Sequence, residues 1–404
     1  MDFGINELKA IPYGKRLKCA VCEEDLKPPI IELPDLPLTE ILVNEKQETN
    51  IGFIDQNFHL CENCGHGQLS TIIDPEILYE SSYSFRTSGS ASSVSGNDFF
   101  HEFIKQVIKN RQFKTIIEIG CNDLYLLNKL KDDAERLIGI DPILRKSDEI
   151  LPDSRISIIG DFFDNIDLGD LAGSGDVLVI SSHNLEHIEE PRSMIRKLLE
   201  YSSQDTLFIF QFPCIETLVE ENRFDQIFHH HIHYFSLQSF EYLLNNLNAK
   251  IIDFTTNQSH WGSLLVAFKK GNNKGTFASS YFNLINSEKI IEDYKIYRKR
   301  MFLTNEYLKA SKFPLYGYGA ILTLPILAYH LQNDFSAFEA VLDDDKNKEG
   351  LFYLNLPVPI MNTSKINDFR GGSILLTAIN HLRKILPKVI KLNPKQIILP
   401  VNSI

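Results

Sequence analysis

Positive charge is in short supply: across 404 residues, 41 Lys and Arg stand against 53 Asp and Glu, a formal net charge of −12. Affinity for a phosphate backbone comes largely from clustered Lys and Arg, so nucleic acid is not expected as a partner. The chain lacks an apolar run of about 18 residues, so no membrane span is expected. Its first residues, MDFGINELKAIPYGKRLK, hold neither an apolar core nor a small-residue cleavage site. A cytoplasmic protein is expected. Cysteine is sparse, six in all; in a reducing compartment these serve as metal ligands or buried thiols rather than disulfides. There is no G-x-G-x-x-G, and with it goes the phosphate cradle of a dinucleotide cofactor. What remains, 43% hydrophobic and 23% charged, is an ordinary globular composition. At roughly 150 residues per domain it makes two or three domains.

Four of the cysteines form two C-x-x-C pairs, Cys19 with Cys22 and Cys61 with Cys64. A two-residue spacing lets both thiolates of a pair face one ion from a tight turn, and two such turns complete a tetrahedral four-sulfur shell. Soft thiolates select Zn²⁺ over Mg²⁺ or Ca²⁺. Four sulfurs close the shell, so the expected zinc is structural. Cys121 and Cys214 have no partner at ligand spacing and read as buried thiols.

The first 75 residues read as short strands around these knuckles. The stretch Asp74 to Gly96 is dominated by Ser, Tyr and Gly; it is either a flexible linker or a loop that folds over a site, carrying Tyr79 and Tyr83. Beyond it, apolar runs (TIIEIG from Thr115, LIGID to Asp141, DVLVISS at 176–182, TLFIFQF at 206–212) alternate with helical stretches, the pattern of a parallel sheet covered by helices. Two adjacent strand-like segments, AKIIDFTTN and SLLVAFKK, close its far edge. GNNKG at 271–275 marks a boundary. A long helical region from about 280 to 311 and a second strand–Gly turn–helix unit follow. The expected architecture is therefore α/β: a zinc-binding domain over 1–75, a Rossmann-like domain over 76–270 and a second Rossmann-like domain over 271–404.

Glu118, Gly120, Asn122 and Asp123 follow the first strand of the middle domain and open a helix. Gly120 lets the backbone approach a ligand. Asp141, about twenty residues on, ends the second strand, where a carboxylate takes ribose hydroxyls. Asp161 and Phe162 follow the third strand, where a carboxylate can accept an exocyclic amine and a ring can stack on adenine. Acidic side chains in place of a phosphate cradle suit a cofactor bearing an ammonium and a sulfonium, as S-adenosylmethionine does. His183 and His187, in HNLEH after the fourth strand, add polar groups at the carboxyl ends of the strands.

After the fifth strand comes FDQIFHHHIHYFS, with His229, His230, His231 and His233 in five positions. Such a run reads as a solvated turn, as core histidines with satisfied nitrogens, as a metal site, or as general acid–base chemistry near neutral pH. No second ligand pattern accompanies it, which weighs against the metal.

Taken in order, CAVC/CENC, EIGCND, DQIFHHHIHYFS, HWGSLL, YGYGA, VLDDDKNKEGLFYLNLPVPI and SILLTAIN resemble the C-methyltransferases of nucleotide-linked deoxysugars. The resemblance covers nearly the whole chain. It implies an N-terminal zinc domain, a class I S-adenosylmethionine domain and a C-terminal Rossmann-like domain for the sugar nucleotide. In that family the segment at 228–231 is usually Tyr-His-Glu-His; here Phe228 and His230 replace the Tyr and Glu, and Leu124 and Leu265 replace a usual Gly and Arg. The resemblance implies C-methylation of a 4-keto-deoxysugar through an enolate. His231 is then the base or relay and His187 or His229 the oxyanion partner, with His230 beside them. The tyrosine role is dropped or moved to Tyr83 or Tyr234. Cofactor binding falls to Glu118, Gly120, Asn122, Asp123, Asp141, Asp161, Phe162 and His183. Substrate binding falls to Tyr79, Tyr83, His260, Gly317, Gly319, Asp343, Asp344 and Lys348. O- or N-methylation of a related sugar nucleotide and a non-catalytic binding protein are the rival readings. The oligomeric state stays open, a monomer among the choices.

Overall fold

The computed structural model describes residues 11–47, 51–78, 86–145, 153–167, 176–258, 260, 262–272, 285–366, 369 and 371–400. Near the N-terminus lie β1 (Tyr13–Lys15), β2 (Ile31–Pro37), β3 (Leu42–Val43), β4 (Phe53–Leu60), β5 (Gly67–Leu69) and β6 (Thr71–Ile73). β1 pairs antiparallel with β6. β2, β4 and β5 form an antiparallel sheet whose outer strand, β12 (His233–Tyr234), comes from the histidine segment far along the chain. Ile31 and Leu33 point inward and Glu32 outward along β2, the alternation of a strand with one wet face.

The middle sheet holds β7 (Phe113–Ile119), β8 (Ala134–Ile140), β9 (Ile156–Ile159), β10 (Val177–Ser182), β11 (Leu207–Pro213), β13 (Ala249–Asn257) and β14 (Ser263–Lys270), in the order β13-β14-β11-β10-β7-β8-β9. Its first five strands by sequence are parallel; β14 pairs antiparallel with both β11 and β13. All seven residues of β11 are buried, as a strand covered on both faces requires. The helix Ala91–Ile108 turns Phe100, Phe103, Ile104 and Ile108 inward, and the helix Pro191–Glu200 turns Met194, Ile195, Leu198 and Leu199 inward. Ser236 and Ser239 cap the helix Leu237–Asn246 reciprocally. The expected strand runs lie in or against these strands.

The helix Ser287–Lys309 leads into β15 (Leu315–Tyr318), β16 (Phe338–Asp343), β17 (Phe352–Tyr353), β18 (Leu356–Asn362), β19 (Ser373–Leu376) and β20 (Gln396–Ile398). Their order is β20-β19-β15-β16-β18-β17-β3. Thus β3 crosses to extend this last sheet by pairing with β17, while β12 extends the first. The expected α/β fold class is what the structure shows. In each large sheet the order reverses beside the first strand, between β7 and β10 and between β15 and β19, which opens a crevice at the carboxyl ends. Among the described residues no helix is long and apolar enough to cross a membrane.

Buried Glu216, in the helix Ile215–Glu220, accepts the Leu237 N–H at 3.1 Å, and burial pushes its carboxyl up from 4.5 to about 7. The folded chain thus keeps a proton that the unfolded chain has released. Its contribution to stability is present in full below pH 4.5 and lost as pH rises through about 7. Glu216→Gln keeps the acceptor oxygen, so thermal melting between pH 5 and 8 is expected to fall less in the variant than in the parent.

Candidate active site and zinc centre

The two crevices open into one cavity of about 1460 Å³, bounded also by residues 86–93. Of the expected loop over a site, 86–93 therefore lies on the wall. Tyr79 and Tyr83 lie outside the described residues.

At the end of β7, Gly120 has φ +76°, and a Cβ there would lie 2.9 Å from Asn184; a side chain would be strained and would crowd the wall. The Asn122 N–H donates to Asp141 Oδ2 at 2.8 Å and the Ile143 N–H to Oδ1 at 3.1 Å, so Asp141 ties the loop after β7 to the end of β8. Thr87 and Ser88 donate their N–H groups to the side chains of Asn122 and Asp123, which closes residues 86–93 over this loop. Glu118 is 2% exposed, and its Oε2 has no hydrogen-bond partner; burial raises its carboxyl well above the usual range. Nearby, the Asn184 Nδ2 is a buried donor without an acceptor. An orphaned acceptor and an orphaned donor on one wall fit the ammonium and carboxylate of S-adenosylmethionine. Asp161 binds Arg145 at 2.8 Å, which holds its carboxyl down at about 2, and the guanidinium lies 4.9 Å over the Phe162 ring. A stacked adenine must share Phe162 with Arg145. Asp123 does not reach the cavity wall.

The histidines divide. The His229 Nε2–H donates to the Leu36 carbonyl and its Nδ1 faces the Gln56 amide, at 3.1 and 3.2 Å. With both nitrogens engaged in the N-terminal module, His229 is removed from the expected oxyanion role. His233 donates to the Glu189 carbonyl and faces His66 at 3.0 Å. His230 points to Thr39 and lies 3.8 Å from Glu40, likewise off the cavity wall. Burial lowers His229 to about 4 and His230 to about 3. His187 and His231 do line the cavity, edge to face with ring centres 4.9 Å apart. The His187 Nδ1–H donates to the His230 carbonyl at 2.7 Å, so the neutral ring carries its lone pair on Nε2. That atom lies 3.9 Å from Glu186 Oε1. Buried Glu186 is pushed up to about 7 by desolvation. Its Oε1 also lies 3.2 Å from His183 Nδ1. His183 Nε2 faces Ser263 Oγ at 3.1 Å and His260 Nδ1 at 3.2 Å. Ser263 gives its own hydroxyl proton to the His260 carbonyl, so His183 donates from Nε2. Sequence reasoning passed over Glu186, although it adjoins His187, because nothing in HNLEH shows where a carboxylate will point.

In the far wall, Gly319 has φ +100° and a Cβ there would meet Ala378 at 2.3 Å. The Ala320 N–H donates to Asp343 Oδ2 at 2.7 Å; Lys348 reaches the same oxygen and the Ala320 carbonyl. Asp344 binds Lys388. Lys348, Lys384 and Lys388 all line the cavity beside Asp343, Asp344 and Asp345, a mixed-charge end in which Lys348 and Lys388 are paired with Asp343 and Asp344. Lys384 and Lys388, four apart on the helix Leu382–Lys391, were overlooked. Gly317 sits inside β15, off the wall.

The four sulfurs of Cys19, Cys22, Cys61 and Cys64 lie within 4.8 Å of one another, Cys19–Cys64 at 3.6 Å and Cys22–Cys61 at 3.4 Å. Tetrahedral zinc with sulfur at about 2.3 Å sets such edges at about 3.8 Å, so the residues fit the ion. The cysteines pack into the same core as Phe212, Phe235 and Phe240.

Residues 97–253 match the family model described as a methyltransferase domain, and residues 19–79 match one described as a putative zinc binding domain. The C-methyltransferase NovU of Streptomyces niveus is 23% identical over 253 residues, covering 62% of this chain and 60% of that protein's length. Among solved structures, a putative S-adenosylmethionine dependent methyltransferase from Listeria monocytogenes is 15% identical over 44% of this chain and 100% of its own, with a TM-score of 0.36. Magnesium protoporphyrin IX methyltransferase from Synechocystis PCC 6803, with bound SAH, is 15% identical over 44% and 85%, with a TM-score of 0.35.

Gly120→Ala is expected to weaken S-adenosylhomocysteine binding at least about tenfold by calorimetry, since the left-handed φ and the crowding by Asn184 both oppose a methyl group. Chelating the four-cysteine zinc is expected to strip hydrogen-exchange protection from β5 and β12, while β7 and β8 keep theirs.

Proposed function

We propose that this chain, an S-adenosylmethionine-dependent methyltransferase with an N-terminal zinc-binding domain, methylates a carbon next to the ketone of a nucleotide-linked 4-keto-deoxysugar. One observation supports this reading above the others: a single cavity joins the Gly120 loop, the Glu186–His187–His231 cluster and the Lys348, Lys384 and Lys388 end. The relative NovU bears the name C-methyltransferase.

Glu118, Gly120, Asn122, Asp141, Asp161, Phe162 and His183 hold the donor in this reading. Bound S-adenosylmethionine supplies a sulfonium methyl, to which the substrate carbon bonds as the C–S bond breaks. Lys348, Lys384 and Lys388 complement the charge of the nucleotide diphosphate beside Gly319, while Asp343 and Asp344, paired with Lys348 and Lys388, flank it and hold those lysines in place. His260, Tyr79 and Tyr83 complete the substrate set. Phe228 offers no hydroxyl, so the proton must go to another group. His187 Nε2 takes the proton from the α carbon, and the C–H electron pair moves onto the ketone oxygen. Its Nδ1 bond to the His230 carbonyl fixes the tautomer that leaves Nε2 able to accept. His231, stacked edge to face against it, relays the proton onward. The four-cysteine zinc has a filled shell and holds the histidine segment in place.

Incubation with a 4-keto sugar nucleotide in deuterated water tests the reading. Deuterium is expected at the α carbon without any methyl donor, read by NMR, and His187→Ala is expected to slow this exchange by about 10²–10⁴-fold. Methylation of an oxygen or nitrogen with no α exchange would replace this reading with its rival.

A further inference from the structure

We infer that Glu186, His187 and His231 form a second metal site in this chain, one that takes a divalent ion of the zinc class. One donor atom from each lies within 4.8 Å of the other two; the four cysteines are the other group among the described residues that meets this condition. Two imidazoles and one carboxylate suit Zn²⁺ and its neighbours rather than Mg²⁺ or Ca²⁺, which take all-oxygen shells.

Three further observations point to an ion. The Glu186 side chain is 1% exposed, yet its Oε2 has no hydrogen-bond partner. The basic groups nearest its oxygens among the described residues are imidazoles, His183 at 3.2 Å and His187 at 3.9 Å, which burial favours as neutral rings, with no lysine or arginine beside them. Once ionised, a buried carboxylate so placed is stabilised by a bound cation. The His187 Nδ1–H is held by the His230 carbonyl at 2.7 Å, the arrangement by which metal-binding imidazoles are oriented through their other nitrogen. All three residues also line the cavity, so an ion held by three protein ligands keeps open positions toward solvent. Ligation at about 2.1 Å draws the three donors closer together than they stand here.

The ion claims His187 Nε2, the atom that accepts the substrate proton in the proposed reaction. Occupancy should therefore stop proton removal. That consequence rests on the carbon-methylation reading; the count of ions does not.

Metal counting by plasma mass spectrometry on full-length protein dialysed against excess zinc tests the site. Two zinc ions per chain are expected. One is expected in Glu186→Gln and in His231→Ala, with the four-cysteine ion retained as the sign that each variant is folded. Titrating protein that carries zinc at the four cysteines alone with Co²⁺ gives a reading on unaltered protein. A second ion there is expected to show nitrogen and oxygen ligation without thiolate charge-transfer bands, and α-proton exchange should fall in proportion as it loads. One ion per chain in excess zinc, or two in the folded variants, overturns the site. If two ions bind and deuterium exchange never occurs at any loading, the site stands and the carbon-methylation reading fails. If exchange occurs and the count stays at one, the reverse holds.

Discussion

The short pairing of β12 with β5 governs the placement of the histidine segment. His233 and Tyr234 bond to Gln68 and Gly67, a few residues beyond the Cys61–Cys64 knuckle. The Leu69 N–H reaches the Ile232 carbonyl, and His229 bonds to Leu36 and faces Gln56. A segment without long secondary structure of its own is thereby held by a module more than 150 residues earlier in sequence. Close packing around Gly67, where a Cβ would fall 2.7 Å from Ile215 and 2.9 Å from Phe58, leaves little room for slippage. Zinc closes the knuckle, the knuckle sets β5, and β5 sets the segment. Four sulfurs far from the donor loop thus decide which imidazoles face the cavity.

That dependence explains the two kinds of histidine. His229 finds carbonyl and amide partners in the N-terminal module and His233 faces the His66 ring there, and burial favours the neutral form of both. His231, between them in sequence, lines the cavity instead and packs edge to face against His187. Where the related pattern carries a glutamate, this chain has His230, and a carboxylate from the N-terminal module, Glu40, approaches its ring at 3.8 Å.

The zinc ligands, the parallel strands and the Gly120–Asp141 loop were legible in the sequence because each rests on short-range chemistry: a C-x-x-C turn, a buried apolar run, a glycine after a strand. The fate of the histidine run was not, since it depends on Leu36, Gln56 and Glu189, which lie elsewhere in the chain and carry no motif. Glu186 was hidden for a different reason. It reads as one more acid in a loop, and only the fold shows it buried against three imidazoles. The exchange of β3 and β12 between sheets was equally invisible, because strands of two residues leave no periodicity to detect.

A crystal structure with S-adenosylhomocysteine would show whether the crevice beside Gly120 holds a methyl donor facing His187 and His231. Its amino group is expected at Glu118, its ribose at Asp141 and its sulfur toward the two imidazoles. A molecule bound elsewhere, or in that crevice with its sulfur turned away from both rings, would contradict that placement.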